Sequence, residues 1–262
     1  MRSLGIDIGS RTIKVAVLED GHLEFSRKAD SSYDPMSVAH RLLEGVVYDA
    51  MTATGYGRHN FKAHFDCPVI SEIKAFGQGA RFFFPDAAAV LDVGGQDTKT
   101  IALDSSGRVS KFEMNDRCAA GTGRFMEIMA NALHYTMDEF GSVACATTAA
   151  EKISSMCTVF AESEVVSLIS SGADREAVAL GIHEAIASRA LTMLGKLGDF
   201  NNLVFAGGVA YNPCMRQILG KKLGVPILVP DDPQIVGAVG AALERAVAAM
   251  GTGPVSTRLN LS

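Results

Sequence analysis

The chain has 262 residues, 48% of them hydrophobic, and carries a formal net charge of −5 at pH 7. This length suits one large domain or two lobes, and the composition allows a sizeable core. Acidic side chains outnumber basic ones, and no cluster of basic residues is available to bind a nucleic-acid backbone. We therefore expect no nucleic-acid partner. The N-terminus "MRSLGIDIGS" leads directly into a strand-like segment. We therefore expect a cytoplasmic protein without a signal peptide or a membrane span.

Short strands joined by glycine-containing turns are predicted at the start of the chain. Strand-like patterns occur in "SLGIDI", "TIKVAVLE" and "HLEFSRKA", and Asp20-Gly21 is a strong hairpin signal between the last two. A helix and a fourth strand, around "GVVYDAMTA", come next. The segment "EIKAFGQGARFFF" then predicts a connecting helix that is interrupted by Gly77 and Gly79.

The same order of elements then begins again. "AAAVLDVGG", "DTKTIALDSSG" and "VSKFEMN" are strand-like, and apolar residues at helical spacing follow them. The predicted helix faces contain Phe125, Ile128, Met129, Ala132 and Leu133 in one helix, and Ala161, Val165, Leu168 and Ile169 in another. We interpret this order as an internal duplication. It predicts two lobes, residues 1–83 with 238–262 and residues 84–237, and the tail "QIVGAVGAALERAVAAM" is a helix that returns to the first lobe.

Three glycine-rich stretches lie at the ends of predicted strands. In "GIDIGSRTIK", Asp7 ends a strand, the following turn brings N–H groups close to an anion, and Lys14 adds a charge. "LDVGGQDTK" repeats this arrangement with Asp92, so two hairpins could hold one polyphosphate, and "FAGGVAYN" would let a base or a phosphate approach the backbone. For each stretch alone, an ordinary hairpin without a ligand is the alternative. The predicted contacts are Gly9, Ser10, Lys14, Gly94, Gly95, Gly207 and Gly208.

Two of the five cysteines occupy similar positions. The five form no CxxC pair, which argues against a disulfide framework in a reducing compartment. Cys118 in "NDRCAAGTGRF" and Cys157 in "SSMCTVFAESEV" each stand directly before a predicted helix. The amides and dipole of a helix N-terminus could stabilise an anionic iron–sulfur cluster bound by these thiolates. The alternative is that both are core thiols.

Two cysteines are half of the four thiolates that an iron–sulfur cluster usually needs. A two-fold dimer would complete the set with Cys118 and Cys157 of a second chain. A site within one chain, using two of Cys67, Cys145 and Cys214, stays open, although Cys145 and Cys214 look structural.

Six motifs in chain order carry a resemblance to a known family. They are "GIDIGS", "TGYGR", "DVGGQDTK", "NDRCAAGTGRF", "CTVFAESEV" and "GGVAYN". The sequence resembles the activators of 2-hydroxyacyl-CoA dehydratases and the related ATPase subunits of benzoyl-CoA reductase, within the actin, sugar kinase and heat-shock chaperone ATPase superfamily. The resemblance spans nearly the whole chain. It implies an α/β fold, a duplicated actin-like (ribonuclease H-like) ATPase with two lobes around a cleft for ATP and Mg²⁺.

For the site, the resemblance implies that Asp7, Asp92 and Gln96 are catalytic. Gln96 departs from the small or acidic residues common elsewhere in the superfamily, and an amide at this position could orient the attacking water. It also implies a homodimer, or a pair of related subunits, in which Cys118 and Cys157 of both chains hold one oxygen-sensitive 4Fe-4S cluster. A protein of this kind uses ATP hydrolysis to pass single electrons from ferredoxin or flavodoxin to an iron–sulfur dehydratase or reductase component.

Other functions fit the same fold. A sugar or carboxylate kinase would need a catalytic base near the acceptor hydroxyl, for which Asp92 or Asp97 is a candidate. A filament-forming or scaffold ATPase without catalysis is a third possibility.

Three charged residues have no assigned role at this stage. Arg58 in "TGYGR" could face a partner, the nucleotide or solvent. Glu162 and Glu164 lie within two turns of the proposed anionic cluster, where their charge is unfavourable unless they are paired or point away.

Overall fold

The computed structural model describes residues 1–155 and 157–251. In chain order, the strands are β1 (Arg2–Ile8), β2 (Thr12–Glu19), β3 (His22–Asp30), β4 (Ala50–Thr54), β5 (Ala89–Val93), β6 (Thr98–Leu103), β7 (Val109–Asn115), β8 (Leu203–Ala206) and β9 (Ile227–Leu228). The helices are α1 (Pro35–Leu43), α2 (Arg58–His64), α3 (Glu72–Phe83), α4 (Gly123–Ala132), α5 (Met137–Ala146), α6 (Thr158–Ser170), α7 (Arg175–Gly195), α8 (Pro213–Leu223) and α9 (Val236–Gly251). A short 3₁₀ helix, Gly208–Tyr211, follows β8.

The chain divides into two compact units. The first unit is Met1–Pro85 with the residues from Gln234 onward, and the second unit is Asp86–Pro233. Helix α9 therefore belongs to the first unit together with the N-terminal strands. Residues 252–262, which the sequence analysis assigns to the first lobe, lie outside the described residues.

Both units contain the same strand arrangement. The strand order is β3-β2-β1-β4 in the first unit and β7-β6-β5-β8-β9 in the second. In each, three antiparallel strands are joined by a strand that runs parallel to the first of them, β4 beside β1 and β8 beside β5. A parallel partner needs a long crossover, and helical segments supply it in both units. The duplication predicted from the sequence is confirmed.

Strand β2 is covered on both of its faces in the first unit. Side chains alternate across a strand, so Ile13 and Val15 point to one face and Ala16 to the other. The first face packs on Val38 of α1, and the second packs on Val239 of α9. The apolar run in "TIKVAVLE" thus reflects a sheet buried between two helical layers.

Helices α3 and α9 approach each other closely in the first unit. A Cβ added to Gly79 would overlap the backbone of Val236, and one added to Gly240 would overlap the backbone of Ala75. The prediction that glycines interrupt the connecting helix is wrong, because α3 runs unbroken from Glu72 to Phe83. A helical glycine costs about 1 kcal/mol relative to alanine. Here it permits backbone-to-backbone packing that no other residue allows.

The core of the second unit is built around α7. This helix buries residues on several sides, among them Val178, Ile182 and Leu194, against helices α4, α5, α6 and α8 and strands β5 and β8. Within the described part of the chain, α7 alone is long and apolar enough to cross a membrane, and 56% of the relevant window is buried inside the protein. Its apolar composition is that of a core helix. The apolar residues predicted to line α4 and α6 are buried or half-buried in the same core.

Candidate functional site

The first predicted hairpin holds a buried ion pair. Asp7 lies near the end of β1, is 4% exposed, and is directly opposite Lys14 of β2. Lys14 Nζ lies 3.1 Å from Asp7 Oδ2. The turn between the strands contains Gly9 and Ser10, and a Cβ added to Gly9 would stand 3.0 Å from Lys14 Nζ. The glycine therefore leaves room for the ammonium group beside the turn.

The second hairpin repeats this pair with an additional carboxylate. Asp92 of β5 is opposite Lys99 of β6, and Lys99 Nζ lies 3.2 Å from Asp92 Oδ2 and 2.7 Å from Asp97 Oδ2. The Lys99 and Asp92 side chains are each 3% exposed. Lys99 was not among the predicted site residues, although it stands seven residues after Asp92 just as Lys14 does after Asp7.

Each of the two aspartates also lies against a glycine in the left-handed region. Gly55 follows β4 with φ +93°, and Gly207 follows β8 with φ +82°. A Cβ at Gly55 would overlap Asp7 Oδ1, and a Cβ at Gly207 would crowd Asp92 Oδ1. The motifs "TGYGR" and "GGVAYN" are thus equivalent loops of the duplication, each placing bare backbone beside a buried carboxylate.

The loop between β5 and β6, residues 94–97, is tied to the start of α4. The amides of Gly123 and Arg124 donate to the carbonyls of Gly94 and Gly95, each over 2.9 Å. Gln96 projects from this loop and is exposed. Its side-chain amide makes no hydrogen bond within the described part of the chain, so it is free to contact a ligand or water.

A buried histidine supports the third glycine-rich loop. Asn212 at the end of "GGVAYN" accepts from the Met215 amide at 3.0 Å and donates to His183 Nε2 at 3.0 Å. The His183 Nδ1–H then donates to the Ala179 carbonyl at 2.7 Å. Burial lowers the pKa of His183 to about 4, so the imidazole is neutral at pH 7. No sequence signal marked this histidine, because its role depends on packing between α7 and α8.

Cys118 is exposed and lies in residues 116–122, which we call the Cys118 segment. This segment is exposed at residues 116–118 and buried at residues 120–122. The prediction that Cys118 stands directly before a helix is wrong, since α4 begins only at Gly123. The Thr122 amide donates to the Ala119 carbonyl at 3.0 Å, and Gly121 has φ +82°. This turn with a left-handed residue cannot be helical, and it delays the helix by one turn.

Cys157 is the N-cap residue of α6, as predicted. It is exposed, and its side chain makes no capping hydrogen bond. The backbone before it is held by Glu164, whose carboxylate accepts from the Ser154 amide at 2.8 Å and the Ser155 amide at 2.9 Å. Burial raises the pKa of Glu164, but these hydrogen bonds outweigh burial and leave the pKa below its ordinary value. The charge of Glu164 is therefore paired within its own segment, whereas Glu162 is exposed.

The exposed thiols are suited to ligating a metal centre. Cys118 and Cys157 are exposed, so the interpretation of both as core thiols is wrong. They precede α4 and α6, which pack against each other. An exposed thiol beside the small residues Ala119 and Ala120, and a second one at the start of α6, where no side chain caps the helix, fit an anionic iron–sulfur cluster.

The other cysteines are engaged elsewhere. Cys67 and Cys214 are buried, and Cys145 donates to Gln217 Oε1 at 3.2 Å. Burial raises the pKa of Cys214 to about 12, which disfavours the thiolate. Over residues 1–155 and 157–251, no three His, Cys, Asp or Glu side chains converge on a metal-sized site. A four-cysteine site within one chain has no support in this arrangement.

Arg58 is bound within the first unit. Its Nη1 donates to the Gly55 carbonyl at 2.9 Å and lies 3.5 Å from Glu72 Oε1. It thus stabilises the loop that faces Asp7.

Comparisons with known proteins identify the family to which this chain is similar. The profile that describes the BadF/BadG/BcrA/BcrD ATPase family matches residues 4–244. The (R)-2-hydroxyglutaryl-CoA dehydratase activating ATPase of Acidaminococcus fermentans is 38% identical over 252 residues, which cover 92% of this chain and 95% of the relative. A benzoyl-CoA reductase component of Thauera aromatica is 29% identical over 259 residues, 91% of each chain.

Solved structures show the same fold. The activator of the 2-hydroxyisocaproyl-CoA dehydratase from Clostridium difficile, solved with bound ADPNP, has a TM-score of 0.87 and 36% identity, over 98% of this chain and 100% of that one. A ROK family glucokinase from Streptomyces griseus has a TM-score of 0.59 at 13% identity, over 93% and 99% of the two chains. The second match shows an actin-like fold alone.

Proposed function

We propose, from the premise that this chain belongs to the BadF/BadG/BcrA/BcrD ATPase family, that it uses ATP hydrolysis to drive single electrons onto a partner enzyme. The partner is a 2-hydroxyacyl-CoA dehydratase or a benzoyl-CoA reductase-type enzyme, as the names of the relatives suggest. The observation that carries the proposal is the pair of exposed thiols, Cys118 and Cys157, in a chain that is otherwise an ATPase.

The proposed nucleotide residues are the two duplicated hairpins and the third glycine-rich loop. Asp7 and Asp92 supply carboxylate oxygens of the kind that Mg²⁺ prefers, either directly or through water. The exposed Gln96 amide orients the attacking water. The backbone contacts to ATP are assigned to Gly9, Ser10, Gly94, Gly95, Gly207 and Gly208, with Lys14 as the neighbouring cation.

Cys118 and Cys157 are proposed to hold half of a 4Fe-4S cluster, which would carry one electron at a time when bound. Four thiolates then require a second chain, and we propose a homodimer with one cluster between two copies. Helix α6 supports this arrangement, because Val159, Phe160 and Val166 are 69%, 67% and 53% exposed just beyond Cys157. Apolar side chains grouped on one helix are typical of a surface that is covered by a partner.

The electron donor is proposed to be ferredoxin or flavodoxin, and the protein is proposed to work in an anaerobic cytoplasm, because exposed cluster thiolates are open to oxidation. Kinase chemistry has weaker support. Asp97, one of its two candidate bases, is bound to Lys99 at 2.7 Å, and Asp92 pairs with the same lysine. A base held by a buried ammonium group is poorly placed to accept a proton.

The proposal is tested by separating the two sites. Asp7→Asn should weaken Mg²⁺-dependent ATP hydrolysis and leave the iron content unchanged, because the cluster is assigned to other residues. Cys118→Ala should remove the iron and leave ATP binding intact. ATPase assays and iron analysis on anaerobically purified protein measure both. A colourless, iron-free wild-type protein that phosphorylates a sugar or a carboxylate would contradict the proposal and favour the kinase.

A further inference from the structure

The Cys118 segment is hydrogen-bonded directly to strand β6. Thr98, the first residue of β6, donates its hydroxyl to the Gly121 carbonyl at 3.0 Å. Thr98 is 3% exposed, so this bond is buried. Leaving a buried carbonyl without a donor costs about 1–3 kcal/mol of folding free energy, so this hydrogen bond is expected to persist in the folded protein.

Other contacts clamp the same segment. Asn115, the last residue of β7, donates Nδ2 to the Cys118 carbonyl at 3.0 Å and to the Ala120 carbonyl at 3.4 Å. On the opposite side, a Cβ added to Gly121 would stand 2.9 Å from Arg189 Cδ of α7. The segment is thus held between β6, β7 and α7, so a displacement of any of these elements would displace the segment.

Thr98 also adjoins the loop to which we assign the phosphates. It follows residues 94–97 directly, and that loop is bonded at its other end to the first amides of α4. A shift of this loop would reach Cys118 by two routes, one through the start of α4 and one through the Thr98 hydroxyl. The hydroxyl route ends three residues from Cys118.

We propose that Thr98 is a positioning residue that couples nucleotide occupancy of the β5–β6 loop to the position of Cys118. The inference rests on the proposed function, since it takes the loop as a phosphate-binding element. A coupling of this kind needs an element that both sites bias, and the buried Thr98–Gly121 bond provides it within the second unit.

The test uses three variants on one strand. Thr98→Val removes the hydroxyl and keeps the shape, whereas Thr98→Ser keeps the hydroxyl. Thr100→Val is the matched control, because Thr100 is also buried on β6 and its hydroxyl has no hydrogen-bond partner among the residues that the structure describes. The readout is the rate at which Cys118 is alkylated in iron-free protein, with ADP and then with a non-hydrolysable ATP analogue. Cys157 of the same chain serves as an internal reference.

In the wild type, Thr98→Ser and Thr100→Val, the two nucleotides should give Cys118 alkylation rates that differ by at least about fivefold. In Thr98→Val the difference between the two rates should fall clearly below that of the wild type, because only the route through the start of α4 remains, while the affinity for both nucleotides stays close to that of the wild type. A Thr98→Val protein that keeps the difference would overturn the inference, and so would a wild-type protein that binds both nucleotides without any difference. A wild-type protein that binds neither nucleotide would instead contradict the proposed function.

If Thr98→Val does not fold, Thr98→Ser and Thr98→Ala decide the question. A Thr98→Ala protein that keeps the full rate difference would overturn the inference. A rate difference that is reduced in Thr98→Ala but kept in Thr98→Ser would support it.

Discussion

The two units share a strand arrangement and a buried aspartate–lysine pair, but the lysines have different surroundings. Lys14 in the first unit pairs with Asp7, and its side chain is 13% exposed beside the Gly9 turn. Lys99 in the second unit is 3% exposed and lies between Asp92 and Asp97. A lysine held by two carboxylates has little capacity left for a phosphate. The duplicated lysines therefore differ in their surroundings, and only Lys14 keeps the exposure and the single carboxylate partner that suit its proposed contact with ATP.

The second difference is chemical. The second unit carries two exposed cysteines, Cys118 and Cys157, whereas Cys67, the cysteine of the first unit, is buried. What the units share is typical of nucleotide binding, and what only one of them has is typical of a metal centre. If the proposed sites are correct, we expect that nucleotide binding and metal binding can be removed one at a time.

The largest expected effect comes from the lysines. Lys99→Ala leaves two carboxylates without their buried cation, and we expect the free energy of unfolding to fall by about 3–5 kcal/mol. Lys14→Ala leaves one carboxylate near a turn, so its stability loss should be clearly smaller, while its ATP affinity should fall. Urea unfolding and calorimetric ATP titration measure the two quantities. Equal stability losses in both variants would show that the two lysines do not differ in their contribution to stability.

The next effect is a pH dependence of the free energy of unfolding, which arises from His183 in the second unit. Burial holds the pKa of His183 at about 4, below its ordinary value of 6.5. The unfolded chain therefore binds a proton first, and stability present above pH 6.5 is lost as the pH falls toward 4. A pKa difference of this size corresponds to a loss of about 3 kcal/mol in the free energy of unfolding.

His183→Gln removes this titration, so its stability should vary less than that of the wild type between pH 7 and pH 4. The variant should be less stable at pH 7, because the Asn212 contact is changed. Urea unfolding at several pH values compares the slopes, and parallel curves would show that His183 does not titrate in this range.

Gln96 tests whether the second hairpin also serves catalysis. Gln96→Ala should lower the turnover number of ATP hydrolysis by about tenfold or more and change ATP affinity little, because an amide that orients water acts in the transition state. Steady-state kinetics and equilibrium binding separate the two effects. A variant with normal turnover would remove Gln96 from the mechanism.

The smallest effect concerns the backbone before Cys157, on one side of the proposed metal centre. Glu164→Gln keeps one acceptor oxygen for the two amides of Ser154 and Ser155, and we expect a stability loss of about 1 kcal/mol. We also expect faster hydrogen exchange at both amides. Glu162→Gln is the control, since Glu162 is exposed on the same helix. If the control has the same effect on exchange, Glu164 does not hold this segment.

The sequence predicts the strands well, because alternating side chains and glycine turns are local signals. It also predicts that Cys157 begins a helix, since the residues of α6 follow it without a break. It places the start of α4 too early because nothing in "CAAGTG" reveals that Gly121 adopts a left-handed conformation. It expects glycine to break α3 because the close approach of α9 cannot be seen from α3 alone.

The side-chain partners of the site are harder to predict. Glu164 looks unfavourable in the sequence, and only the folded chain brings it to the amides of residues 154 and 155. Arg58 and His183 likewise have partners that are distant in sequence or belong to the backbone. Lys99 is the exception, because the spacing of the duplicated hairpin was sufficient to find it.

Iron analysis beside size-exclusion chromatography, on anaerobically purified protein, tests the central claim most directly. The claim is that Cys118 and Cys157 of two copies hold one four-iron cluster. The account predicts about two irons per chain on a dimer, and iron-free protein of smaller size that still binds ATP after either Cys118→Ala or Cys157→Ala. Four irons on a monomer, or a Cys157→Ala protein with its full iron content, would contradict it.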